Sequence, residues 1–445
     1  MKNKILLLLV ATVVAVSLGL VGGGCEPAAP TIVIGMSRSE TGPLAQIHEL
    51  AFLPVYDTYL EEVNTTGLTV GAENYQVEVD VRNDGSVMAN MLSNTAAILN
   101  DIAAGDVHFL FGPTCTAFLE GQAPLAANAS VVQMTVEGGA TTLIPKLNDY
   151  DYSFINLSFS DWYQIPVLAK LLAEAQSVAH PGTNATAYIG YQNDAHGLEY
   201  EGVAKTYFAN EGIIVKGSFP MDSGDLTANT ELIKAANQSG ANVLCAFAYP
   251  EHTFGTALVA AGLNYTPDAI VIGPGANFNV YSIINNGTEE GVTCFAVANH
   301  DTSTAMDALY NKLEADPEVG WPNVDVWGHP LYWAAMQIWE EAAVACGTVD
   351  PATKEYVINQ DTYRNYLRNG NFTTVLGATW YVDGSLTHPA PATGGALMNY
   401  KCHTGEIGQW QKGIIEIVGY AGIGNATDPY GLTNYVVTAN YTFPK

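Results

Sequence analysis

Two hydrophobic periodicities alternate along most of the chain. Short apolar, β-branched runs end in Gly, Pro or polar residues. Stretches with apolar residues every three or four positions follow them. Thr31-Ile32-Val33-Ile34-Gly35 is the first such run, followed by a loop through Gly42-Pro43 and a helical stretch. Tyr75 to Val81 alternates as a strand does, and Ala89, Leu92, Ala96, Ala97 and Leu99 fall at helical spacing behind it. Val107 to Phe111 predicts the next strand, stopped by Gly112-Pro113; a helix from about Thr116 and a strand over 131–134 complete the unit.

The alternation then restarts. Strands are predicted over 185–191, 213–217, 242–248 and 269–273, with helices over 198–210, 226–237 and 251–261 between them. Strands separated by helices need crossover connections, which make parallel sheets. Two such arrays, joined near Asn156 to Gln164, predict two α/β lobes. The stretch from Trp327 to Cys346 is helical and apolar on one face. The tail from about Gly377 is rich in Gly, Pro and Tyr, with short strands such as 413–418.

The N-terminus breaks this pattern. Lys2 and Lys4 precede an apolar run from Ile5 to about Val21, and Gly22-Gly23-Gly24 lead into Cys25. A basic start, an apolar run just short of membrane length and small residues before a possible cleavage point have the layout of an export signal. After residue 30 no other apolar run approaches that length, so the remaining body, about 415 residues, is expected outside the cytoplasm as two lobes of ordinary domain size.

Composition narrows the partners. A net charge of −28, spread along the chain, excludes a phosphate-backbone surface and hence nucleic acid, and it reads as a solvated exterior. Besides Cys25 there are Cys115, Cys245, Cys294, Cys346 and Cys402, an odd and widely spaced set that is no disulfide framework. Asn-X-Ser/Thr triplets, among them Asn64, Asn128, Asn184 and Asn371, matter only where the source glycosylates what it exports.

Candidate chemistry lies where the strands end, because open α/β sheets bind ligands beyond their carboxyl ends. The loop after the first strand runs from Ser37 to Gln46, and the next is Gly112-Pro113-Thr114-Cys115-Thr116, entering a helix. A helix N-terminus offers free N–H groups and about half a positive charge, which suits a carboxylate; Thr114 or Thr116 acting as a plain helix cap is the alternative. Thr135 to Thr142 holds Glu137, Gly138 and Gly139. The second lobe contributes Gln192 to Gly197, Tyr249 to His252, and Pro274 to Phe278, with Gly275 and Asn277.

In order, IGMSRSETGPLAQ, FGPTCTAFLEGQAPLAANASVV, YIGYQNDAHGLEY, FAYPEHTFGTALVAAGL and IGPGANFNVY resemble the landmarks of type I periplasmic binding proteins, nearest to the leucine/isoleucine/valine-binding proteins of ABC importers. The resemblance covers residues 31 to at least 385. It implies two Rossmann-like lobes, 31–155 with 300–377 and 156–299 with 378–445, after a signal over 1–25 and a short linker over 26–30. Three crossovers near 156–164, 291–300 and 377–385 would act as a hinge closing over a solute. Separately, the small residues before Cys25 resemble the bacterial lipoprotein processing site, which implies that Cys25 is acylated and anchors the body to the membrane, although that site usually has Leu or a similar residue where Gly22 stands. An ordinary signal peptide or an uncleaved anchor is the other reading.

By position, the resemblance implies that Thr116 holds a ligand carboxylate and that Glu137, Gly138 and Gly139 form the turn at the ligand's amino and carboxylate groups. It implies that Tyr249 lines the site, that His196 replaces a tyrosine and that Ile47 replaces an aromatic cover. Gln46, Cys115, Gly275 and Asn277 complete the set. Amino-acid binders carry a glutamate where Gly275 stands, and a threonine where Gly139 stands. Glu137 supplying that charge, or a ligand without an amine such as an aromatic or aliphatic acid or an amide, are the alternatives. The resemblance implies an ABC permease and ATPase as partners, with no cofactor.

Two rival classes are weighed against this. No HExxH, GxSxG or P-loop occurs, Gly419 to Gly424 lacks a dinucleotide context, and His48, His196 and His252 read as polar lining rather than a metal site, so an enzyme is not expected. A ligand-sensing receptor of the same fold, acting with a signalling partner, is the alternative function.

Overall fold

In the computed structural model, the described residues are 30–136, 150–156, 160–382, 397–400, 404–421, 436–437, 441 and 443. Strands β1 (Thr31–Arg38), β2 (Leu68–Val70), β3 (Glu73–Asn83), β4 (Phe109–Phe111), β5 (Gln133–Thr135) and β6 (Ser153–Ile155) open a first sheet. Strands β7 (Thr186–Gln192), β8 (Ile214–Met221), β9 (Val243–Phe247), β10 (Ala269–Ile272) and β11 (Thr293–Phe295) open a second. A small pair, β12 (Gly347–Val349) and β13 (Tyr356–Ile358), stands apart. The chain then returns to the first sheet with β14 (Phe372–Thr374), β15 (Gly377–Val382) and β16 (Leu397–Tyr400). It finishes in the second with β17 (Thr404–Gln411), β18 (Ile414–Ala421) and β19 (Val436–Val437).

The first sheet has the order β14-β15-β16-β6-β5-β4-β1-β3-β2, and the second β19-β18-β17-β11-β10-β9-β7-β8. Strand β1 pairs in parallel with β3 on one side and β4 on the other. Helices cover both faces of such a strand, so it reads as a near-continuous apolar run rather than an alternating one; every residue from Ile34 to Arg38 is buried, as is Ile32. The apolar stretch beginning at Trp327 becomes the helix Gly328–Cys346. Its Trp339 is fully buried, with its ring edge-on to Phe109 and Phe111. Burial of large apolar side chains is the main force holding this helix to the sheet, on the order of 2–3 kcal/mol each.

The expected α/β class and the restart of the alternation are both present. The predicted helix over 251–261 is instead two short helices, Pro250–Thr253 and Thr256–Gly262, because the chain turns at Phe254-Gly255. The third crossover also falls elsewhere. Residues 377–382, expected to leave the first lobe, form β15 of its sheet, antiparallel to β14 and β16, and the chain reaches the second sheet only between Tyr400 and Thr404. That pairing joins segments whose local sequence carries no periodic signal. The first crossover leads from β6 into the helix Ser160–Ala179, where Gln164 Nε2 donates to the carbonyls of Ala296 (2.8 Å) and Glu406 (3.1 Å) and so ties the connecting strands together. Among the described residues no helix is long and apolar enough to cross a membrane. Cys25 and the leader lie outside the described residues.

Candidate functional site

A cavity of about 550 Å³, counted to its open mouth, lies between the carboxyl ends of the two sheets. This is the place in which a small-molecule site is expected. Ile47, Ala51, Thr114, Cys115 and Thr116 wall it from the first sheet; His196, Tyr249, Pro250, Pro274, Asn277 and Phe278 come from the second, and Trp327 and Tyr332 from the connecting helix. No Lys, Arg, Asp or Glu is among these lining residues.

The first-lobe wall is the start of the 14-residue helix Thr116–Ala129. Its N-cap residue, Cys115, is extended (φ −150°, ψ 166°), and no side chain caps the helix. Thr114 therefore is not a cap; its Oγ1 accepts from the backbone N–H of Ser39 at 2.8 Å. Arg38 holds the loop from behind: its Nη1 donates to the carbonyls of Gly112 (3.1 Å) and Pro113 (2.9 Å), and its guanidinium lies 3.8 Å over the Phe52 ring. The result is a helix N-terminus, with its N–H groups and partial positive charge, presented at an apolar cavity.

The second-lobe wall is aromatic. His196 and Tyr249 stack with ring centres 5.5 Å apart, and the Tyr249 hydroxyl donates to Asp194 Oδ2 at 2.8 Å. Asp194 Oδ1 in turn caps the helix Ala195–Asn210 by accepting from Gly197 N–H. Burial drives the His196 imidazole below its usual range, outweighing the nearby Asp194, so the ring lines the cavity neutral. Burial first, and then the Asp194 charge, holds the Tyr249 phenol well above its usual value, and it stays protonated. Tyr249 also packs with Leu44, Met91, Cys115 and Phe118 of the first lobe, so the two lobes meet across the site.

A buried carboxylate lies behind Asn277 and Trp327 of the cavity wall. Asp325 Oδ1 accepts from Asn277 Nδ2 (2.6 Å) and Trp327 N–H (2.7 Å), and its Oδ2 accepts from Gly328 N–H (2.7 Å). Burial raises this carboxyl to about 7 despite the three donors, which pull the other way. The backbone around it is shared too: Asn279 N–H donates to Val324 O, Val326 N–H to Asn277 O, and Val297 and Ala298 N–H to Val326 O. The segment from Val324 to Trp327 is thus laced to the second lobe while its helix belongs to the first.

Of the residues expected at the site, Ile47, Cys115, Thr116, His196, Tyr249 and Asn277 line the cavity together. Gln46 and Gly275 do not line it. Gln46 is half-buried one position away from Ile47, with its side-chain oxygen buried and unpartnered, and Gly275 supports Asn277 by donating its N–H to Asn277 Oδ1 at 2.7 Å. Glu137, Gly138 and Gly139 lie outside the described residues. Thr114, Trp327 and Tyr332 were not singled out as ligand contacts from sequence. The last two sit at the start of a helix whose apolar face reads as core, and no local signal says that its first turn opens on a cleft. Among the described residues no group of three or more His, Cys, Asp or Glu is placed to hold a metal ion.

Comparison with known proteins agrees with this geometry. The family described as periplasmic binding protein matches residues 31–393. No curated protein matches the chain. The fold is similar to the leucine-binding protein LivK of Thermotoga maritima, with 13% identity, TM-score 0.64, and 87% of this chain and 97% of that one covered. It is similar to LivJ of Streptococcus pneumoniae, solved with isoleucine, with 16% identity, TM-score 0.64, and coverage of 87% and 98%. It is also similar to a solute-binding protein of Rhodopseudomonas palustris solved with benzoate, with 13% identity, TM-score 0.66, and coverage of 93% and 99%. With its match over most of its length and two α/β lobes facing across a cavity, the chain belongs to the periplasmic binding protein family and has the type I fold.

Proposed function

We propose that the protein captures a small organic carboxylate or related solute in the interlobe cavity and delivers it to an ABC importer at the outer face of the membrane. One observation carries the reading. The uncapped N-terminus of the helix Thr116–Ala129 faces a cavity walled by aromatic and aliphatic side chains, with no charged side chain among the lining residues. A carboxylate accepts hydrogen bonds from backbone N–H groups and the Thr116 hydroxyl without needing a cation, while Tyr249, Phe278 and Trp327 offer faces for an aromatic or branched apolar body. The amino-acid and benzoate ligands of the similar structures share that design: a carboxylate on an apolar body. Delivery by hinge closure and anchoring through Cys25 belong to the same proposal.

The test is a thermal-shift screen of protein lacking residues 1–25 against amino acids, aromatic acids, short organic acids and amides. At least one carboxylate should raise the melting temperature in proportion to the logarithm of its concentration, as mass action requires; a flat response across the panel refutes the reading. With that ligand in hand, Thr116→Val removes one hydroxyl donor and should weaken binding about tenfold, equivalent to roughly 1.4 kcal/mol. Tyr249→Ala, which strips an aromatic wall, should weaken it further, with both variants still folded by circular dichroism. Unchanged affinity in a calorimetric titration would show that the carboxylate sits elsewhere.

A further inference from the structure

We propose that this protein is N-glycosylated on the two surfaces that point away from the cavity, at Asn128, Asn184, Asn237, Asn264, Asn286 and Asn371. Ten of the 32 asparagines in the chain begin an Asn-X-Ser/Thr triplet, where its Ser and Thr content gives roughly four by chance. The excess alone proves nothing, since turns are rich in these residues. Where the triplets fall in the fold is what separates acceptors from coincidences.

Eight of the ten triplet asparagines are described, and these six are exposed. Every exposed one sits at the end of a helix or between it and the strand that follows. Asn128 is in the last turn of the helix before β5, Asn184 is two residues before β7, and Asn237 is near the end of the helix before β9. Asn264 and Asn286 follow the helices that lead to β10 and β11, with left-handed backbone (φ 54° and 49°), and Asn371 immediately precedes β14. Strands β4, β5 and β6 are mutually parallel, as are β7, β9, β10 and β11. Strand β14 runs the same way as β6, being antiparallel to β15, which is antiparallel to β16, itself parallel to β6. All six asparagines therefore lie at the amino ends of their strands, opposite the carboxyl ends where the cavity opens.

The two exceptions among the described triplets fail for physical reasons. Asn156 follows the carboxyl end of β6, on the cavity side, and is fully buried, with its amide donating to Thr135 O and accepting from the Tyr381 hydroxyl. Asn64 spends both amide atoms on the backbone of Val77, at 2.9 and 2.7 Å. None of the six exposed amides makes a side-chain hydrogen bond, so each nitrogen is available and each glycan would project into solvent. The chemistry needs one co-reactant, a lipid-diphosphate-linked sugar of the exporting cell, and its transferase. The asparagine Nδ2 forms a bond to the sugar C1, the C1–O bond to the diphosphate breaks, the lipid diphosphate leaves, and the amide proton passes to a base of the transferase.

Glycopeptide mass spectrometry of the protein isolated from the cell that exports it tests the proposal. Sugar mass increments are expected on the peptides bearing these six asparagines, and none on those bearing Asn64 or Asn156. Unmodified masses at all six, or sugar on Asn156, overturn it. A variant with all six changed to Gln should lose those increments and keep the wild-type thermal shift with the same ligand. Loss of that shift in a variant that still unfolds cooperatively would overturn the placement of these sites away from the cavity.

Discussion

Asp325→Ala is expected to destabilise the protein by about 3–5 kcal/mol, seen as a lower urea midpoint at unchanged m-value. The carboxylate is fully buried and receives three N–H donors, from Asn277, Trp327 and Gly328. Removing it leaves those donors in an apolar interior without water, and each unsatisfied group costs about 1–3 kcal/mol. Because Asn277 lines the cavity and loses its anchor, ligand affinity should fall with stability. A loss under 1 kcal/mol would mean that the lacing between Val324 and Asn279 holds without the carboxylate.

The same residue predicts a pH dependence. Burial lifts its carboxyl from the ordinary 3.8 to about 7 in the folded protein. The folded state therefore binds the proton more tightly than the unfolded one. Its stabilising contribution is fully present below about pH 4 and is lost as pH rises toward 7, at up to about 1.4 kcal/mol per pH unit. Asp57, raised to about 6 by burial and by Glu318, Glu61 and Asp316, works in the same direction. Comparison with Asp325→Asn isolates the Asp325 part, since the variant should lack that slope; parallel stability curves for the two proteins between pH 4 and 7 would remove Asp325 as the source.

Gly275→Ala is expected to cost about 2–4 kcal/mol although it adds one methyl group. Gly275 has φ +128°, and a Cβ there would stand 2.2 Å from Thr253 Oγ1. That hydroxyl is committed, donating to Pro274 O at 2.5 Å, and Thr253 is fully buried. Backbone strain of about 1–3 kcal/mol adds to the displaced hydrogen bond. Gly275→Glu should be at least as damaging and should confer no amino-acid binding, because the side chain has no path into the cavity that leaves Thr253 in place. The resemblance implies that amino-acid binders of this fold carry a ligand-binding glutamate at the position of Gly275; with a structural glycine there, we propose a solute held by its carboxylate rather than by an ammonium. A stable Gly275→Glu protein that gains affinity for leucine would reverse that conclusion.

Much of this architecture was legible in the chain because its signals are local. The run TIVIG, the stop at Gly112-Pro113 and the restart at Ala185 all report backbone preference and burial over a few residues; the strand expected over 413–418 begins one residue later, because Gly413 belongs with Lys412 to a turn of positive φ (56° and 81°) between β17 and β18. The polar turns after β4, β7, β9 and β10 were equally readable, since a strand end rich in Thr, Asn, His and Gly differs from the apolar run before it. Five expected residues that line the cavity, Cys115, Thr116, His196, Tyr249 and Asn277, lie in those turns, whereas Ile47 is implied only by the family resemblance.

What remained hidden depends on distance in sequence. That residues 377–382 stay in the first sheet, that Trp327 and Tyr332 turn from core to cavity, and that Thr114 bonds Ser39 rather than capping its helix are all decided by partners far along the chain. The chain by itself determined two lobes and the turns where a ligand belongs, because periodicity and turn chemistry act within a dozen residues. Only the tertiary structure decided that Asp325 binds the lobes together, that Gly275 excludes a side chain and that the exposed asparagine triplets among the described residues face away from the cavity. Each of those follows from which groups are buried against one another, and no local pattern records that.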